Sequence, residues 1–233
     1  MNAVPYRLTF ARGFTLTEMA IVLMIVALLL AGIMLPLSAQ QEIRARQETE
    51  RALNDIREAL IGYAASHTAS DGKPYLPCPD SNAPPDGIEN RSATPGPCAA
   101  QEGTLPWVDL GLGRSDAWNN RFRYRVTDVF SNSSAGFILT SSGDMVVCAD
   151  QACATTTAAN LPALVLSHGP NGFGAFNTGG AQNAAPSDAG EVENTNGNST
   201  FVSKTPDGNF DDLVVWLPTT ILINRLITAG KLP

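Results

Sequence analysis

The sequence lacks the short motifs that mark many catalytic sites. It contains no G-x-S-x-G, no H-E-x-x-H and no G-x-x-x-x-G-K-[ST], and it has only two histidines. One of them, His168, directly follows Ser167, but neighbouring side chains in a strand point to opposite faces. Adjacency therefore does not pair a nucleophile with its base. We predict that the chain is not an enzyme.

Basic residues are also scarce. The chain has 15 Lys and Arg against 22 Asp and Glu, a net charge of −7. Arg7 and Arg12 are the only charged residues among the first 13, so the remainder has 13 basic and 22 acidic residues, a net charge of −9. Such an acidic chain is not expected to bind nucleic acid as a general partner. If a membrane segment follows, a basic start predicts a cytoplasmic N-terminus.

Charge is absent altogether from residues 19–35, and residues 14–17 extend this apolar run by a turn. The run has the length of a short membrane-spanning helix, so the sequence predicts a single-pass membrane segment with the bulk of the chain outside. Glu18 lies at its front. A lone carboxylate in lipid costs at least about 2.5 kcal/mol, so this residue needs a partner or a function.

A second helical pattern follows Pro36, which is expected to bend or loosen the helix. Together the two halves predict one helix of about 50 residues, some 75–80 Å long. In its second half, apolar residues recur at steps of three and four and form one stripe that a globular domain must cover. The stripe consists of Leu53, Ile56, Leu60 and Tyr63 or Ala64.

The remaining sequence predicts an α+β domain with long loops. Residues 71–98 are rich in Pro, Gly and Asn, and residues 171–200 are expected to be irregular. Arginines alternate with apolar residues from Arg121 to Val126, as expected for a half-buried antiparallel strand. The tail from Thr219 predicts a short helix that ends at Gly230. Strands are predicted at 122–129, 137–140, 145–147, 163–167 and 213–217.

All four cysteines lie beyond the apolar run, and an even number in an exported domain favours two disulfides. Three pairings are open. We favour Cys78–Cys98 and Cys148–Cys153, because each pair brackets a loop-like stretch. A zinc site is the alternative, but the spacings are not C-x-x-C and neither histidine lies close to a cysteine pair.

The start of the chain resembles the class III signal of type IV pilins and type II secretion pseudopilins. The sequence RGFTLTEMAIVLMIV has the features of that signal: a short basic leader ending in Gly13, then Phe14, then a T-L-x-E motif containing Glu18 and a long apolar run. The resemblance implies that a prepilin peptidase cuts after Gly13 and that the new amine of Phe14 is methylated. In the family, this glutamate pairs with the N-terminal amine of a neighbouring subunit.

This pairing offers a reason for the carboxylate. Phe14 and Glu18 are four residues apart, which in a helix places them on one face about 6 Å apart along the axis. A cation from the adjacent subunit would lower the cost of burying Glu18 and would set the register of assembly. The alternative is a simple membrane anchor in which Glu18 reaches back to the cytoplasmic interface.

The rest of the chain resembles major pseudopilins at three places. SDAWNNRFRYRV is similar to their D-x-W-G-N-x-(aromatic)-x-Y stretch, HGPNGFG to their G-x-D-G turn, and FDDLVVW to their D-I-x-x-W end. In the first stretch Asn119 replaces the usual glycine, and in the turn Asn171 replaces aspartate. The matching residues are Asp116, Trp118, Asn120, Phe122, Tyr124, Asp212 and Trp216.

In that family the turn and the aspartate hold a calcium ion, so the resemblance implies a calcium site at Asn171, Asp211 and Asp212. Amide, carboxylate and carbonyl oxygens are the ligands that calcium takes. About 40 residues separate the turn from Asp212, however, which is more than in a typical major pseudopilin. Residues of this insertion could ligate instead, namely Asp188, Glu191 and Glu193. The alternative is a hydrated acidic loop without a metal.

The sequence as a whole is interpreted as a subunit of a type IV pilus-like or type II secretion pseudopilus filament. Its size and insertions favour a minor subunit. The predicted parts are a leader (1–13), a transmembrane and filament-core half-helix (14–36), an amphipathic half-helix (37–68) and a periplasmic or extracellular pilin domain (69–233) packed as an antiparallel sheet on the helix.

The expected partners are the prepilin peptidase, other subunits, the inner-membrane assembly platform, and the inner membrane itself before assembly. After assembly the chain is expected in a periplasmic or cell-surface filament. The alternatives are a larger major pilin, an adhesin-like binding module that uses residues 71–110 or 169–200, and a membrane-tethered hydrolase, which is the least favoured. Whether the filament serves secretion, DNA uptake, adhesion or twitching is open.

Overall fold

The structure, a computed structural model, describes residues 13–233, and for residues 30–38 it describes the backbone only. The chain divides into two compact units, residues 1–44 and 45–233. Helix α1 is the first element and runs over 51 residues, Leu16–Ser66. The elements that follow are β1 (Glu102–Thr104), α2 (Trp107–Leu110), β2 (Arg123–Val126), α3 (Asp128–Ser131), β3 (Met145–Cys148), β4 (Thr156–Leu161), β5 (Ala163–Ser167), α4 (Ala189–Glu193), β6 (Thr200–Val202), β7 (Leu213–Leu217) and α5 (Thr219–Thr228).

A four-stranded antiparallel sheet organises the second unit, with strand order β1-β2-β5-β7. In its centre Tyr124 of β2 lies opposite Val165 of β5, which in turn lies opposite Val215 of β7. Side chains of β2 alternate between the two faces of the sheet, as the sequence predicts. Tyr124 and Val126 face the core, and Arg123 and Arg125 lie on the other face.

The predicted apolar stripe of α1 is buried on the first face of this sheet. Leu53, Ile56 and Leu60 are at most 2% exposed and join one core cluster with the sheet and α5. Burying one such side chain contributes about 1.5–3 kcal/mol. The cluster also contains Phe122, Tyr124, Val126, Phe130, Phe137, Ala163, Val165, Leu217, Leu222 and Leu226.

A second, three-stranded sheet has the order β4-β3-β6, and its β3–β6 pair is parallel. Met145, Val147 and Phe201 from this sheet form a second apolar cluster with Leu164 and Leu166 of β5. Strand β5 is consequently buried on both faces, which accounts for its unbroken run of apolar residues.

The two predicted disulfides are confirmed. Cys78 is bonded to Cys98 and Cys148 to Cys153, with Cα–Cα distances of 5.3 and 5.0 Å, and the described chain has no free cysteine. The first closes the Pro-rich segment that has little regular structure of its own. By the chain-entropy estimate this loop contributes about 3 kcal/mol and the shorter one about 2 kcal/mol.

The prediction of a membrane-spanning half-helix is wrong. Within residues 13–233 as described, the structure contains no helix that combines the length and the apolarity needed to cross a bilayer. The membrane-anchored location predicted for the chain before assembly is wrong for the same reason.

The predicted fold is also wrong about the sheet. The strands form two sheets rather than one antiparallel sheet, and the smaller sheet is mixed because β6 arrives by a long crossover and pairs in parallel with β3. No strand forms at residues 137–140, of which 139 and 140 lie in a turn. The strand predicted over 122–129 is shorter, Arg123–Val126, and α3 begins at Asp128. Strands β1, β4 and β6 and the short helix α4 were not predicted.

Candidate functional site

Three acidic side chains come together beside the start of β7. Glu191 lies on α4, and Asp211 and Asp212 immediately precede β7. One carboxylate oxygen of each lies within 4.8 Å of the others. Glu191 and Asp212 are at most 3% exposed, while Asp211 is half-buried. We call this group of three the acidic cluster.

Helix α4 positions Glu191, and Asp188 fixes the start of that helix. The Asp188 carboxylate accepts hydrogen bonds from the backbone N–H groups of Gly190 (2.8 Å) and Glu191 (3.3 Å), the usual role of an aspartate at a helix N-cap. Asp188 also lies 3.8 Å from the Lys204 ammonium. It therefore supports the acidic cluster from outside and is not a member of it.

Asn171 and Asn194 orient the cluster by donating hydrogen bonds. The Asn171 side-chain amide donates to Glu191 Oε1 (2.8 Å) and its backbone N–H donates to Asp211 Oδ2 (3.1 Å). The Asp211 N–H donates to the same Glu191 oxygen (3.1 Å). Asn194 donates from its side chain to Asp212 Oδ2 (2.8 Å). One oxygen of each acid is held in this way.

The second oxygen of each acid has no such partner. Glu191 Oε2, Asp211 Oδ1 and Asp212 Oδ1 are buried and accept no hydrogen bond from any described residue. Buried polar atoms are normally paired, so an oxygen without a hydrogen bond on each of three neighbouring acids calls for an explanation. Of the three, Asp212 Oδ1 has a ring nitrogen nearby, His168 Nδ1 at 3.4 Å. A cation bound among the three acids would give their oxygens a partner.

Burial also shifts the proton affinity of the cluster. Desolvation raises the pKa of Asp211 to about 7, with the charges of Glu191 and Asp212 adding to the shift and the N–H of Asn171 opposing it. Burial likewise raises the pKa of Glu191. Ionising all three acids together is unfavourable without a positive charge beside them. A divalent cation would supply that charge and displace the protons.

His168 joins the cluster to the arginine-lined face of the sheet. It is fully buried, and its Nδ1 lies 3.4 Å from Asp212 Oδ1. Its Nε2 accepts a hydrogen bond from Arg123 Nε (3.3 Å), which places the proton of a neutral imidazole on Nδ1, facing Asp212. His168 thus positions a carboxylate and is not paired with Ser167, whose hydroxyl donates to Asp116 Oδ2 (2.6 Å).

The donor set of the cluster fits calcium. Oxygens that ligate calcium at 2.3–2.6 Å lie up to about 5 Å apart across the ion, which matches the 4.8 Å within which one carboxylate oxygen of each acid falls. Carboxylate oxygens without thiolate favour a hard cation over zinc. Glu191, Asp211 and Asp212 are the residues that would hold the ion.

Of the residues predicted to bind metal, the structure brings Asp211 and Asp212 together and places Asn171 against them. The Asn171 side-chain oxygen accepts from the Phe173 N–H (2.8 Å), so in this structure the residue meets the acids through its donors. Glu193 lies apart and accepts bonds from two asparagines of the next turn. Asn194 and the contact of His168 with Asp212 were not anticipated, because no sequence signal joins an amide or an imidazole to an acid in another segment.

The tryptophan-containing motif has a structural role. Asp116 Oδ1 accepts hydrogen bonds from the N–H groups of Trp118 (3.0 Å) and Asn120 (2.8 Å), and this closes the turn that leads into β2. Asn119, inside the turn, has a left-handed φ of 66°. Asparagine is among the residues that tolerate this conformation best, and glycine adopts it without strain.

The predicted processing and assembly residues lie at the beginning of the described chain. Gly13 and Phe14 are exposed and precede α1. Contrary to the prediction, Phe14 therefore does not share a helical face with Glu18. Glu18 is exposed, and its carboxylate accepts hydrogen bonds from the backbone N–H and the hydroxyl of Thr15. These bonds lower the pKa of Glu18. The predicted leader, up to residue 12, lies outside the described residues.

The front of α1 exposes an unusual amount of apolar surface. Its large apolar side chains between residues 16 and 29 are 44–87% exposed. They are Leu16, Met19, Ile21, Val22, Leu23, Met24, Ile25, Val26, Leu28 and Leu29. Contiguous apolar surface of this kind marks a binding interface.

Comparisons with family models, with curated proteins and with solved structures give no match to this chain.

Proposed function

We propose that this chain is a structural subunit of a type IV pilus-like or type II secretion pseudopilus filament, and that the front of α1 is the part that other subunits cover. The single observation that carries the proposal is the exposed apolar surface at residues 16–29. Together with the Gly13, Phe14 and Glu18 motif that precedes and enters it, this surface is what a filament core requires.

The distribution of these side chains favours many neighbours over one. Successive residues of a helix point about 100° apart, so the consecutive exposed residues 21–26 cover the whole circumference. A single partner helix would cover one stripe and leave the opposite side in water. A filament, in which each helix is surrounded by other copies or by related subunits, covers every side.

Assembly would follow removal of the leader by a prepilin peptidase, which exposes the amine of Phe14. Glu18 is then the one carboxylate within an otherwise apolar surface, and a cation from a neighbouring subunit would stabilise it there. The stretch from 169 to 200 contains a turn, α4 and one residue of the acidic cluster, so this long insertion is ordered. An ordered insertion of this length supports the proposal that the chain is a minor subunit.

We also propose that the acidic cluster binds calcium in this protein. The support is the set of buried, unpartnered oxygens on Glu191, Asp211 and Asp212. The ion would tie α4 to the start of β7, and so would fix the insertion to the central sheet. Calcium is structural in this proposal and takes no part in a reaction.

The filament proposal is tested by placing a charge on opposite sides of α1. Leu23→Asp and Ile25→Asp change positions about 200° apart around the helix. The variants are expressed as full-length chains in the host that carries the assembly machinery, and sheared filaments are analysed by mass spectrometry for the chain. Both variants should be lost from the filament fraction, because both sides of the helix are covered there.

Gln41→Asp is the matched control, since it adds the same charge at an exposed position of the same helix. It should be incorporated normally. If only one of the two aspartate variants were lost from the filament fraction, the helix would be covered on one side only, by a single partner helix, and the filament proposal would be wrong. If the wild-type chain never entered the filament fraction, the proposed function would be wrong.

A further inference from the structure

A cavity lies on the arginine-lined face of the four-stranded sheet, outside the acidic cluster. Its volume is about 110 Å³. A water molecule needs roughly 10–15 Å³ of such space, so the cavity has room for several waters or for one small molecule. We call it the arginine pocket, and its main walls are Glu102, Arg121, Arg123, His168, Ala175 and Phe176.

Arg121 is a buried cation that lacks a carboxylate partner. The residue is 5% exposed, and no acidic oxygen of a described residue lies within 4 Å of its guanidinium nitrogens. It donates only to the carbonyl oxygens of Arg114 (3.3 Å) and Thr178 (3.4 Å), and its Nε has no partner. The buried carboxylate of Asp80 attracts Arg121 without forming an ion pair with it, and both oxygens of Asp80 accept hydrogen bonds from the backbone N–H groups of Asn82 and Gly87. Burying a charge without an opposite charge in contact is costly.

The other groups of the pocket leave this charge unbalanced. Arg123 forms an ion pair with Glu102, and Arg125 shares the same carboxylate at 3.6 Å. His168 accepts from Arg123 and is engaged on its other side with Asp212. Glu102 therefore forms ion pairs with two other arginines and does not neutralise Arg121.

Trp107 holds the guanidinium plane of Arg121 in place. The Arg121 Cζ lies 4.2 Å from the centroid of the indole ring, the distance of a cation–π contact. Stacking fixes one face of the plane and leaves the edge, with its N–H groups, to make hydrogen bonds. A planar guanidinium fixed in this way suits a planar, two-oxygen acceptor.

We propose that the arginine pocket binds a small carboxylate, with Arg121 as its ion-pair partner and Ala175 and Phe176 against its carbon atoms. One unbalanced positive charge matches a monoanion better than a phosphate dianion. The apolar side chains of the stretch from 174 to 176 give the carbon part of the ligand a surface that a bare inorganic ion would not use. This site is independent of the filament proposal, because none of its residues lies on α1.

The test uses the full-length, ¹⁵N-labelled chain, dispersed in a non-ionic detergent because of its exposed apolar helix. Sodium acetate is titrated by calorimetry against sodium chloride at equal ionic strength, and inorganic phosphate is titrated separately. Acetate should bind saturably at one site per chain. In parallel, the Nε–H resonance of Arg121 should shift with acetate and not with chloride.

Arg121→Met removes the charge and keeps the length of the side chain, and it should weaken acetate binding at least tenfold. Arg51→Met makes the same change of charge at an exposed residue of α1, outside the pocket, and should leave binding unchanged. Should Arg121→Met fail to fold, the Arg121 resonance of the wild-type chain decides alone. Absence of saturable acetate binding, or binding that Arg121→Met leaves intact, would overturn the proposal. Tighter binding of phosphate than of acetate would overturn the assignment to a carboxylate.

Discussion

Thr15 and Glu18 form reciprocal hydrogen bonds at the start of α1. The Thr15 N–H donates to Glu18 Oε2 (2.8 Å), and the Glu18 N–H donates to Thr15 Oγ1 (3.2 Å). The Thr15 carbonyl accepts the first helical bond, from Met19 N–H (3.2 Å). This is a capping box, which satisfies two backbone donors that a helix end otherwise leaves unpaired. The carboxylate thus has a local role in addition to the one proposed for assembly.

The two roles of Glu18 can be separated. Glu18→Gln keeps an oxygen that can accept from Thr15 N–H, but it removes the charge. We expect this variant to fold with a normal helix and to be lost from filaments, measured as the fraction of chain in sheared filaments. Thr15→Ala keeps the charge and weakens the cap by about 1 kcal/mol, and it should still assemble. The reverse pattern would assign Glu18 to capping alone.

Processing at Gly13 can be tested without disturbing the fold. A side chain added at Gly13 would meet no described atom within 4 Å, and its backbone is not left-handed. Gly13→Trp should therefore leave the melting temperature of the chain unchanged while blocking cleavage, because a bulky residue would crowd the peptidase. Intact-mass and N-terminal sequencing of the purified chain measure the outcome. A mature Gly13→Trp chain beginning at Phe14 would contradict the predicted cleavage site.

Calcium should raise the melting temperature of the full-length chain. Binding to the folded state alone stabilises it by about 2.7 kcal/mol at a hundredfold excess over the dissociation constant. For a chain of this size that corresponds to about 5–10 °C. Asp212→Asn keeps the oxygen that accepts from Asn194 and should abolish most of the increase. Asp55→Asn, an exposed change on α1, should retain it. Equal melting curves in calcium and in chelator would show that the acidic cluster does not bind calcium.

The raised pKa of Asp211 predicts a pH dependence in chelator. Its folded-state pKa is about 7 against an ordinary value of 3.8, so the folded state holds the proton more tightly than the unfolded state does. The stabilisation is complete below about pH 4 and is lost as the pH rises through 7. This group should therefore lower the free energy of unfolding between pH 4 and 7. Asp211→Asn should flatten that slope, and calcium should suppress it by keeping the carboxylate ionised. A slope unchanged in Asp211→Asn would contradict the assignment.

The parts of the fold that could be predicted are those with a strong local period. The stripe of Leu53, Ile56 and Leu60 was visible because it repeats at helical spacing over several turns. The alternation around Tyr124 and the apolar run of β5 were visible for the same reason. The helix α5 also ends as predicted, where Gly230 adopts a left-handed φ of 67°.

The parts that could not be predicted depend on contacts between distant segments. Helix α4 has only five residues in a stretch rich in Gly and Asn, so its propensity is weak and its cap at Asp188 is the main local signal. The partnership of Glu191 with Asp211 joins residues 20 apart with no common period. In the arginine pocket, the charge of Arg121 is left without an ion pair because Glu102 pairs with Arg123 and Arg125 instead. The sequence does not show which arginine pairs with Glu102.

The parallel pairing of β3 with β6 has a consequence for the order in which the chain folds. Val147 pairs with Phe201, more than fifty residues later, while β4 is available to β3 soon after it. A chain that emerges from its N-terminus must therefore keep one edge of β3 open until residue 202 has appeared. Contacts this far apart slow folding and leave strand edges exposed to other chains in the meantime. The open edge of β3 is therefore the part of the incomplete chain that is most exposed to pairing with another chain.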